Sequence, residues 1–402
     1  MNMKSWYKRA IGLLLVAVLL PAALAYAEND HRYSSVDGFQ NGLAYVWKDG
    51  KGGFIDTSGK EVIPCQYDEA SSFSEGLAKV EKDGKWGYID TTGKETIPCY
   101  YSYAETFNEG LACVKKDGKY GFIDMTGKEV IPCQYDYAND FSEGLVCVKK
   151  SGRQSYLDTT GKEVIPCQYD GANSFSEGLA CVRKNEKWGY IDTAGKEVIP
   201  CQYDYADNFS EGLASVEKDG KWGYINTTGK EVVPCQYDGA NSFSEGLAPV
   251  EKDGKWGYIN TTGKEVVPCQ YDSAVFFNEG LAQVKKNGKY GYIDATGKEI
   301  VSCQYEDAVW VFSEGLARVK KDEKYGYLDT TGKEVIPCQY ENALAFKDGL
   351  ARVKEQKYGY IDTTGKKIIS CEYNWVAYGE GYFTLIKDGY LTILDKNLNR
   401  VF

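Results

Sequence analysis

A repeat of about 34 residues constrains this 402-residue chain more than any other feature. The segment 85–90 reads Lys-Trp-Gly-Tyr-Ile-Asp and recurs with small changes along the chain, so that Gly53, Gly87 and Gly121 lie 34 residues apart. We count about eleven copies, of which the last, at 390–395, is degenerate. No linker separates the copies. They are therefore expected to form one body in which neighbouring units share a core.

Each unit reads as short strands joined by tight turns. Asp83-Gly84 lies between two alternating apolar runs and predicts a two-residue hairpin, because glycine accepts the positive φ that such a turn needs. The stretch 90–93, Asp-Thr-Thr-Gly, predicts a second turn in which Asp90 bonds the backbone. Pro98 lacks an N–H and is expected to end a strand or lie at an edge. The pattern predicts an all-β fold of tandem β-meander repeats.

The first residues differ in kind from the repeats. Three basic residues precede an apolar run at 11–20, and Ala25-Tyr26-Ala27 has the small-x-small form of a signal-peptidase site. An uncleaved anchor is the alternative, but the apolar stretch is shorter than the roughly 20 residues that a membrane span requires. We predict that 1–27 is a signal peptide cleaved after Ala27. The array at 28–402 is then secreted or extracytoplasmic, in the periplasm or at the cell surface, with no remaining membrane span.

The repeat also has the form of a known family. The units share the run Lys-Trp-Gly-Tyr-Ile-Asp-Thr-Thr-Gly-Lys-Glu, followed by Tyr-Asp-x-Ala-x-x-Phe-Ser-Glu-Gly-Leu-Ala-x-Val. This pattern resembles the WG-repeat family of mostly bacterial proteins, here as an exported member. The resemblance covers roughly 33–402 and departs from the usual pattern chiefly in a cysteine after Ile/Val-Pro. It implies an all-β repeat array and does not imply one reaction.

The order of strands and turns in a unit also resembles a WD-repeat propeller blade, at the level of fold alone. Residues 33–39 correspond to the tail of a unit and 378–402 to a unit without that tail, so the two are complementary part-units, as in propellers that close by pairing their ends. Eleven units exceed the usual 4–8 blades. We expect a propeller-like curved or spiral array and not a flat ring, with an open β-solenoid as the alternative.

Charge and composition exclude several functions. The formal net charge of −11 argues against a nucleic-acid partner, which would require a basic face. The only histidine is His31, so a histidine-dependent catalytic triad is excluded. The glutamate of Phe-Ser-Glu-Gly and the aspartate of the Asp90 type recur in nearly every unit, which indicates turn residues. We predict a non-enzymatic protein with no cofactor and no metal site.

The thirteen cysteines leave alternatives open. Ten recur once per unit, from Cys65 to Cys371, and three others, Cys113, Cys147 and Cys181, follow Leu-Ala or Leu-Val in consecutive units. They are either small buried side chains, disulfide partners between neighbouring units, or, for the second set, a three-thiolate metal site. A thiol-dependent redox or metal-binding function is therefore the alternative to a binding scaffold.

Positions that vary inside the constant frame are the candidates for function. The third residue of Tyr-x-x-Ala is aromatic at Tyr103, Tyr137, Tyr205 and Trp375, which predicts an aromatic row suited to glycan or peptide stacking. The slot after Leu-Ala also varies. The apolar stretches 276–277 and 309–311 are either a partner patch or repacking around a one-residue insertion. We predict an exported binding scaffold whose partner is an unknown protein, peptide or cell-wall glycan.

Overall fold

The computed structural model describes residues 33–402, and every regular element in that range is a β-strand. The predicted signal peptide, with its cleavage site after Ala27, lies outside these residues, as does His31. The described strands form ten four-stranded sheets and a last three-stranded sheet, each antiparallel and built from consecutive strands. These sheets are the eleven blades of a propeller. The predicted all-β repeat architecture is confirmed.

Blades 1 to 4 comprise β1 Ser35–Val36, β2 Leu43–Lys48, β3 Lys51–Asp56, β4 Glu61–Tyr67; β5 Glu69–Ala70, β6 Leu77–Lys82, β7 Lys85–Asp90, β8 Glu95–Tyr101; β9 Tyr103–Ala104, β10 Leu111–Lys116, β11 Lys119–Asp124, β12 Glu129–Tyr135; and β13 Tyr137–Ala138, β14 Leu145–Lys150, β15 Arg153–Asp158, β16 Glu163–Tyr169. Blades 5 to 8 comprise β17 Gly171–Ala172, β18 Leu179–Lys184, β19 Lys187–Asp192, β20 Glu197–Tyr203; β21 Tyr205–Ala206, β22 Leu213–Lys218, β23 Lys221–Asn226, β24 Glu231–Tyr237; β25 Gly239–Ala240, β26 Leu247–Lys252, β27 Lys255–Asn260, β28 Glu265–Tyr271; and β29 Ser273–Ala274, β30 Leu281–Lys286, β31 Lys289–Asp294, β32 Glu299–Tyr305. Blades 9 to 11 comprise β33 Asp307–Ala308, β34 Leu316–Lys321, β35 Lys324–Asp329, β36 Glu334–Tyr340; β37 Asn342–Ala343, β38 Leu350–Lys354, β39 Tyr358–Asp362, β40 Lys367–Tyr373; and β41 Trp375–Gly379, β42 Tyr382–Lys387, β43 Tyr390–Asp395.

Local turn chemistry sets the shape of each blade, as blade 2 illustrates. Asp83 and Gly84 have φ of 53° and 71°, and they join β6 to β7 as the predicted two-residue hairpin. Asp90 accepts hydrogen bonds from the backbone N–H groups of Thr92 and Lys94, which confirms the second turn. The two turns fix the register of three strands without any contribution from the neighbouring blades.

The glycine of Lys-Trp-Gly allows a close approach of two backbones. The register between β7 and β8 shifts around Gly87, and a Cβ atom there would lie 2.5 Å from the carbonyl oxygen of Ile97. Blade 4 carries Ser155 in this slot, and its buried hydroxyl has no hydrogen-bond partner among the described residues. The serine therefore leaves a polar atom unsatisfied in the core of its blade.

The hydrophobic core lies between blades and not within them. One cluster joins Leu77, Tyr88 and Ile97 of blade 2 to Phe107 and Val114 of blade 3, and equivalent clusters recur around the array. A single blade would leave this apolar surface in water, so each blade depends on its neighbours for its stability.

Hydrogen bonds between neighbouring blades fix how the blades are placed. The carboxylate of Glu75, in the Ser-Glu-Gly turn of blade 2, accepts the backbone N–H of Gly110 in the same turn of blade 3, with a distance of 3.0 Å. The same bond from a turn glutamate to the turn glycine of the next blade joins Glu143 to Gly178, Glu177 to Gly212, Glu211 to Gly246, Glu245 to Gly280 and Glu314 to Gly349.

The same contact closes the ring. Glu380 of blade 11 accepts the N–H groups of Asn41 and Gly42 in blade 1, at 2.6 and 2.8 Å. The indole N–H of Trp375 donates to the carbonyl oxygen of Val36 at 2.6 Å. Blades 1 and 11 thus meet as other neighbouring blades do, and the array is a closed ring. The predicted propeller-like array is confirmed. The alternative, an open β-solenoid, is wrong, because blade 11 bonds blade 1.

The two part-units, 33–39 and 378–402, do not combine into one shared blade. Strand β1 pairs only with β2, in blade 1, and the segment from Trp375 forms blade 11 by itself. Residues 400–402 return along β43, where Val401 donates its N–H to Ile393 at 2.9 Å. The ends of the array therefore join through packing and hydrogen bonds between two separate sheets.

We predict that Glu380→Gln loosens the ring closure. The amide retains one acceptor oxygen, so one of the two hydrogen bonds to blade 1 is lost, at a cost of about 1 kcal/mol in the free energy of unfolding. Urea unfolding measures this cost. Hydrogen exchange should also quicken at Tyr33–Val36, because the N-terminal strand is then tethered to blade 11 more weakly.

Glu211→Gln is the matched control. Glu211 accepts two N–H groups, from Glu245 and Gly246, inside the array. Its loss should cost a similar free energy and leave exchange at Tyr33–Val36 unchanged. Equal exchange in both variants would show that Glu380 does not hold the ends together.

Candidate binding site

A short segment of each blade has a fixed backbone and variable side chains. We call it the display segment. It comprises the two or three residues between the alanine that ends the Tyr-x-x-Ala motif and the phenylalanine that follows, such as 105–106 in blade 3. In blade 3, Glu105 donates its N–H to the carbonyl of Cys113 at 2.9 Å, and its own carbonyl accepts the hydroxyl of Tyr88 in blade 2 at 2.6 Å. Equivalent tyrosine bonds hold the segments at Asn173, Asp207, Asn241, Val275, Val309 and Leu344.

The chemistry of the display segments divides the ring into two sectors. The segments are polar in blades 2 to 7, at 71–72, 105–106, 139–140, 173–174, 207–208 and 241–242. They are apolar in blades 8 to 10, at 275–276, 309–311 and 344–345. Because the backbone is held in the same way in both sectors, the side chains alone decide what each sector can bind.

A cavity of about 290 Å³ lies in the polar sector, across blades 3, 4 and 5. Its lining combines tyrosine rings, carboxylates, an amide and a hydroxyl: Tyr103, Glu105, Cys113, Tyr120, Tyr137, Ala138, Asn139, Asp140 and Ser174. Glu105 accepts the hydroxyl of Tyr103, and its other oxygen lies 3.8 Å from the ammonium of Lys79. The site therefore presents aromatic surface beside oriented hydrogen-bond acceptors.

The structure separates the four predicted binding residues into three groups. Tyr103 and Tyr137 both contact Tyr120, with ring centroids 5.9 and 6.0 Å apart, and all three line the cavity. Tyr205 lies between Trp188 and Trp222 in a second aromatic group, at 5.9 and 5.4 Å. Gly171 and Gln154 interrupt the row between these two groups.

Trp375 is placed apart from the other three. Its half-buried indole packs against the cluster of blade 1 and makes the ring-closing bond to Val36. It therefore contributes to the interface between blades 11 and 1. Sequence comparison of the units could not show this, because the role depends on which blade follows blade 11 in space.

The variable slot after Leu-Ala, whose variation made it a candidate for function, lies largely inside the array. Its side chains are buried or half-buried, and five of them donate to the carbonyl of the alanine in the next blade. Lys79 bonds Ala104 at 3.1 Å and Gln283 bonds Ala308. Other bonds of this kind join Cys147 to Ala172, Cys181 to Ala206 and Arg318 to Ala343. Chemically different side chains thus serve one structural purpose.

The cysteines are free thiols throughout residues 33–402. Burial raises the pKa of Cys147 to about 12, and it also raises the pKa of Cys113 to about 12, with smaller contributions from the carboxylates of Asp140 and Glu105. These thiols are therefore protonated near neutral pH and are poor nucleophiles and metal ligands. The disulfide alternative does not occur in this structure, and nothing in it supports the redox or metal alternative.

The repeated carboxylates are engaged in their own turns. The hydroxyl of Thr92 and two backbone N–H groups lower the pKa of Asp90, which is the pattern of an aspartate-capped turn. Glu75 has a φ of 51° within its hairpin, which confirms its prediction as a turn residue. Within the part of the chain that the structure describes, no group of three or more His, Cys, Asp or Glu side chains is placed to hold a metal ion.

Comparison with known families agrees with the repeat geometry. The family model described as "WG containing repeat" matches ten times between residues 53 and 390. The chain belongs to the WG-repeat family. The matched ranges are 53–86, 86–120, 120–153, 155–188, 188–222, 222–256, 256–290, 290–325, 325–357 and 358–390. No match was found among curated proteins.

Solved structures similar to this WG-repeat protein are remote in sequence. A eukaryotic initiation factor is 11% identical over 73% of this chain and 96% of its own, with a TM-score of 0.44. The extracellular domain of BT3049 from B. thetaiotaomicron is 10% identical over 89% and 62%, with a TM-score of 0.23. Hsv2p of Kluyveromyces lactis is 10% identical over 57% and 93%, with a TM-score of 0.33. Likeness at this level carries no functional argument.

No helix that is long and apolar enough to cross a membrane occurs in the described range.

We predict that alkylation of the native protein near pH 8 labels Cys167 first and leaves Cys147 and Cys181 unlabelled until the protein is unfolded. Cys167 is exposed, whereas burial withholds the other two from the reagent and raises the pKa of their thiols. Mass spectrometry of digests after iodoacetamide treatment reads this order. Early labelling of Cys147 would contradict the packing between blades 4 and 5.

The raised pKa values also predict a loss of stability in alkali. The buried thiols and the hydroxyl of buried Tyr305, whose pKa burial raises to about 12, bind protons more tightly in the folded chain than in the unfolded one. Their contribution to the free energy of unfolding is complete below the ordinary thiol pKa of 9.0 and is lost as the pH rises towards about 12. Urea midpoints should fall over that range, and a flat profile would contradict the burial of these groups.

Proposed function

We propose that this WG-repeat protein is an exported, non-enzymatic binding scaffold whose polar sector binds a glycan. The observation that carries the proposal is the cavity across blades 3 to 5, where Tyr103 and Tyr137 both contact Tyr120 beside carboxylate, amide and hydroxyl groups. Its side chains come from the first strands and display segments of blades 3 to 5 and from β10 and β11 of blade 3.

The chemistry of the lining favours a glycan over an apolar ligand. A sugar ring offers a C–H face that packs on an aromatic ring and hydroxyls at its edge that donate to acceptors. Tyr137 is 50% exposed and supplies such a ring, while Glu105, Asn139 and Asp140 supply acceptors. The acidic balance of the site disfavours anionic ligands.

Export is supported by the sequence of the first 27 residues. We predict that the protein recovered from outside the cytoplasm begins at Glu28, because Ala25-Tyr26-Ala27 presents the small residues that signal peptidase requires. N-terminal sequencing and intact mass measure this directly. A mature protein that retains Met1–Ala27 in the membrane fraction would contradict export by cleavage.

We predict that Tyr137→Ala weakens glycan binding by about tenfold, since one exposed aromatic contact contributes roughly 1 to 1.5 kcal/mol. Calorimetric titration with soluble oligomers of N-acetylglucosamine, as a cell-wall glycan chain, measures the change. The mutant should retain the urea midpoint of the parent, because its ring is exposed.

Tyr390→Ala is the matched control. Tyr390 is 62% exposed on blade 11, far along the chain from the cavity, and its loss should leave the affinity unchanged. Failure of the parent protein to bind this probe and other cell-wall oligosaccharides would refute the glycan proposal. An equal loss of affinity in both variants would place the binding site elsewhere.

A further inference from the structure

The apolar sector exposes large side chains that the fold does not use. In blades 8 to 10, Phe276, Trp310, Val311 and Leu344 belong to display segments, and Trp310 is 53% exposed. The rings of Phe276 and Trp310 meet edge to face across the boundary between blades 8 and 9, with centroids 5.1 Å apart. Equivalent positions in blades 2 to 7 are small or polar. Apolar surface concentrated in one place on a soluble repeat protein marks an interaction site.

The insertion in blade 9 enlarges this surface. Three residues, Val309, Trp310 and Val311, separate Ala308 from Phe312, where other units have two. Both ends of the segment remain held. The backbone N–H of Val309 donates to the carbonyl oxygen of Arg318, and the carbonyl oxygen of Val309 accepts the hydroxyl of Tyr292. At the other end, Phe312 is buried. The additional length is therefore directed outwards, and it places Trp310 and Val311 in solvent. Repacking alone would have buried them.

A cavity of about 750 Å³ extends from this surface across four successive blades. Phe276 and Trp310 lie at one end of it, and Asp207 and Asn208 of blade 6 lie at the other. Between them, Asn241 and Ser242 of blade 7 provide amide and hydroxyl groups. The described lining residues carry a single carboxylate, that of Asp207, and no basic side chain.

We propose that this groove binds an extended polypeptide segment that has large apolar side chains at one end and a basic residue at the other. Three observations select this occupant. The apolar surface continues beyond the cavity to Val311 and Leu344, which suits a chain and exceeds what one small molecule covers. The carboxylate of Asp207 complements a Lys or Arg side chain. The amide and hydroxyl groups in between can bond a peptide backbone.

The site is separate from the glycan cavity, so each can be tested without the other. Asp207 belongs to blade 6, whereas the residues that line the smaller cavity belong to blades 3 to 5. Asp207 accepts the hydroxyl of Ser215 of the same blade at 2.6 Å, which holds one oxygen of its carboxylate in place. Asp207→Asn keeps an acceptor for Ser215 and removes the charge.

The test uses the mature protein and three fluorescein-labelled synthetic peptides. The first has Leu and Trp in one half and Lys in the other, the second has Glu in place of Lys, and the third has Ser in place of Leu and Trp. Fluorescence anisotropy should show binding of the first peptide only. Trp310→Ala should weaken that binding at least about tenfold, as expected for a central aromatic anchor, and Asp207→Asn about fivefold.

Controls separate this proposal from the others. Tyr137→Ala should bind the first peptide as the parent does, and Trp310→Ala should keep the parent's affinity for the glycan probe. Equal binding of the Glu and Lys peptides, or full binding by Trp310→Ala, would overturn the proposal. So would self-association of the peptide-free protein in sedimentation experiments that Trp310→Ala abolishes, because the occupant would then be a second copy of this chain.

Discussion

The hydrogen bond from a turn glutamate to the turn glycine of the next blade is the interaction on which the ring depends. The turn supplies both partners, because the Glu75 side chain reaches forward while the N–H of the glycine in the next blade points back. The geometry requires a left-handed backbone at two successive residues, with φ of 51° at Glu75 and 83° at Gly76. A non-glycine residue there carries a small strain, and the charged hydrogen bond offsets it. The bond recurs at seven of the eleven junctions between blades, including the closing one, so the same geometry places neighbouring blades around the ring.

The repeated contact between blades explains how the ring closes although blades 1 and 11 share no strand. The interface between blades 2 and 3 combines the turn bond, a tyrosine hydroxyl on the display segment and an apolar cluster, and each of these constrains the rotation between neighbours. Small errors in rotation would accumulate over eleven interfaces and leave the array open. Glu380 and Trp375 show that no such error remains, because they reach blade 1 at ordinary hydrogen-bond distances. Closure also buries the two apolar faces that an open array would expose at its ends.

Features that depend on a few neighbouring residues could be predicted from the sequence. The Asp-Gly hairpins, the Asp90-type turn and the strand pattern are local, and the structure has them where the sequence indicated. Closure could not be predicted, because it follows from the angle between packed sheets and no single residue specifies that angle. The slot after Leu-Ala was misinterpreted for a related reason. Its side chains differ in size and charge, yet five of them donate to an equivalent alanine carbonyl that only the folded array brings near.

The residues of the candidate site could likewise be predicted only in part. Tyr103 and Tyr137 could be identified because aromatic residues stand out against glycine and serine in equivalent units. Glu105, Asn139 and Asp140 were missed, since single polar residues in a loop resemble drift. A signal was available in the change of the display segment from polar in blades 2 to 7 to apolar in blades 8 to 10. That change is regional along the chain, and comparison of units one by one does not show it.

The display segments also show why such an array can change its ligand chemistry at little cost in stability. The bonds that hold each segment are made by the backbone of the segment itself, as at Glu105, Asp207 and Val275, whose side chains have nothing in common. Substitution there leaves the frame bonds and the buried phenylalanine in place. Even the inserted residue of blade 9 is accommodated, because Val309 and Phe312 remain anchored on either side of it. The invariance of the frame and the variability of the display positions therefore have one physical cause: the fold relies on backbone groups where recognition relies on side chains.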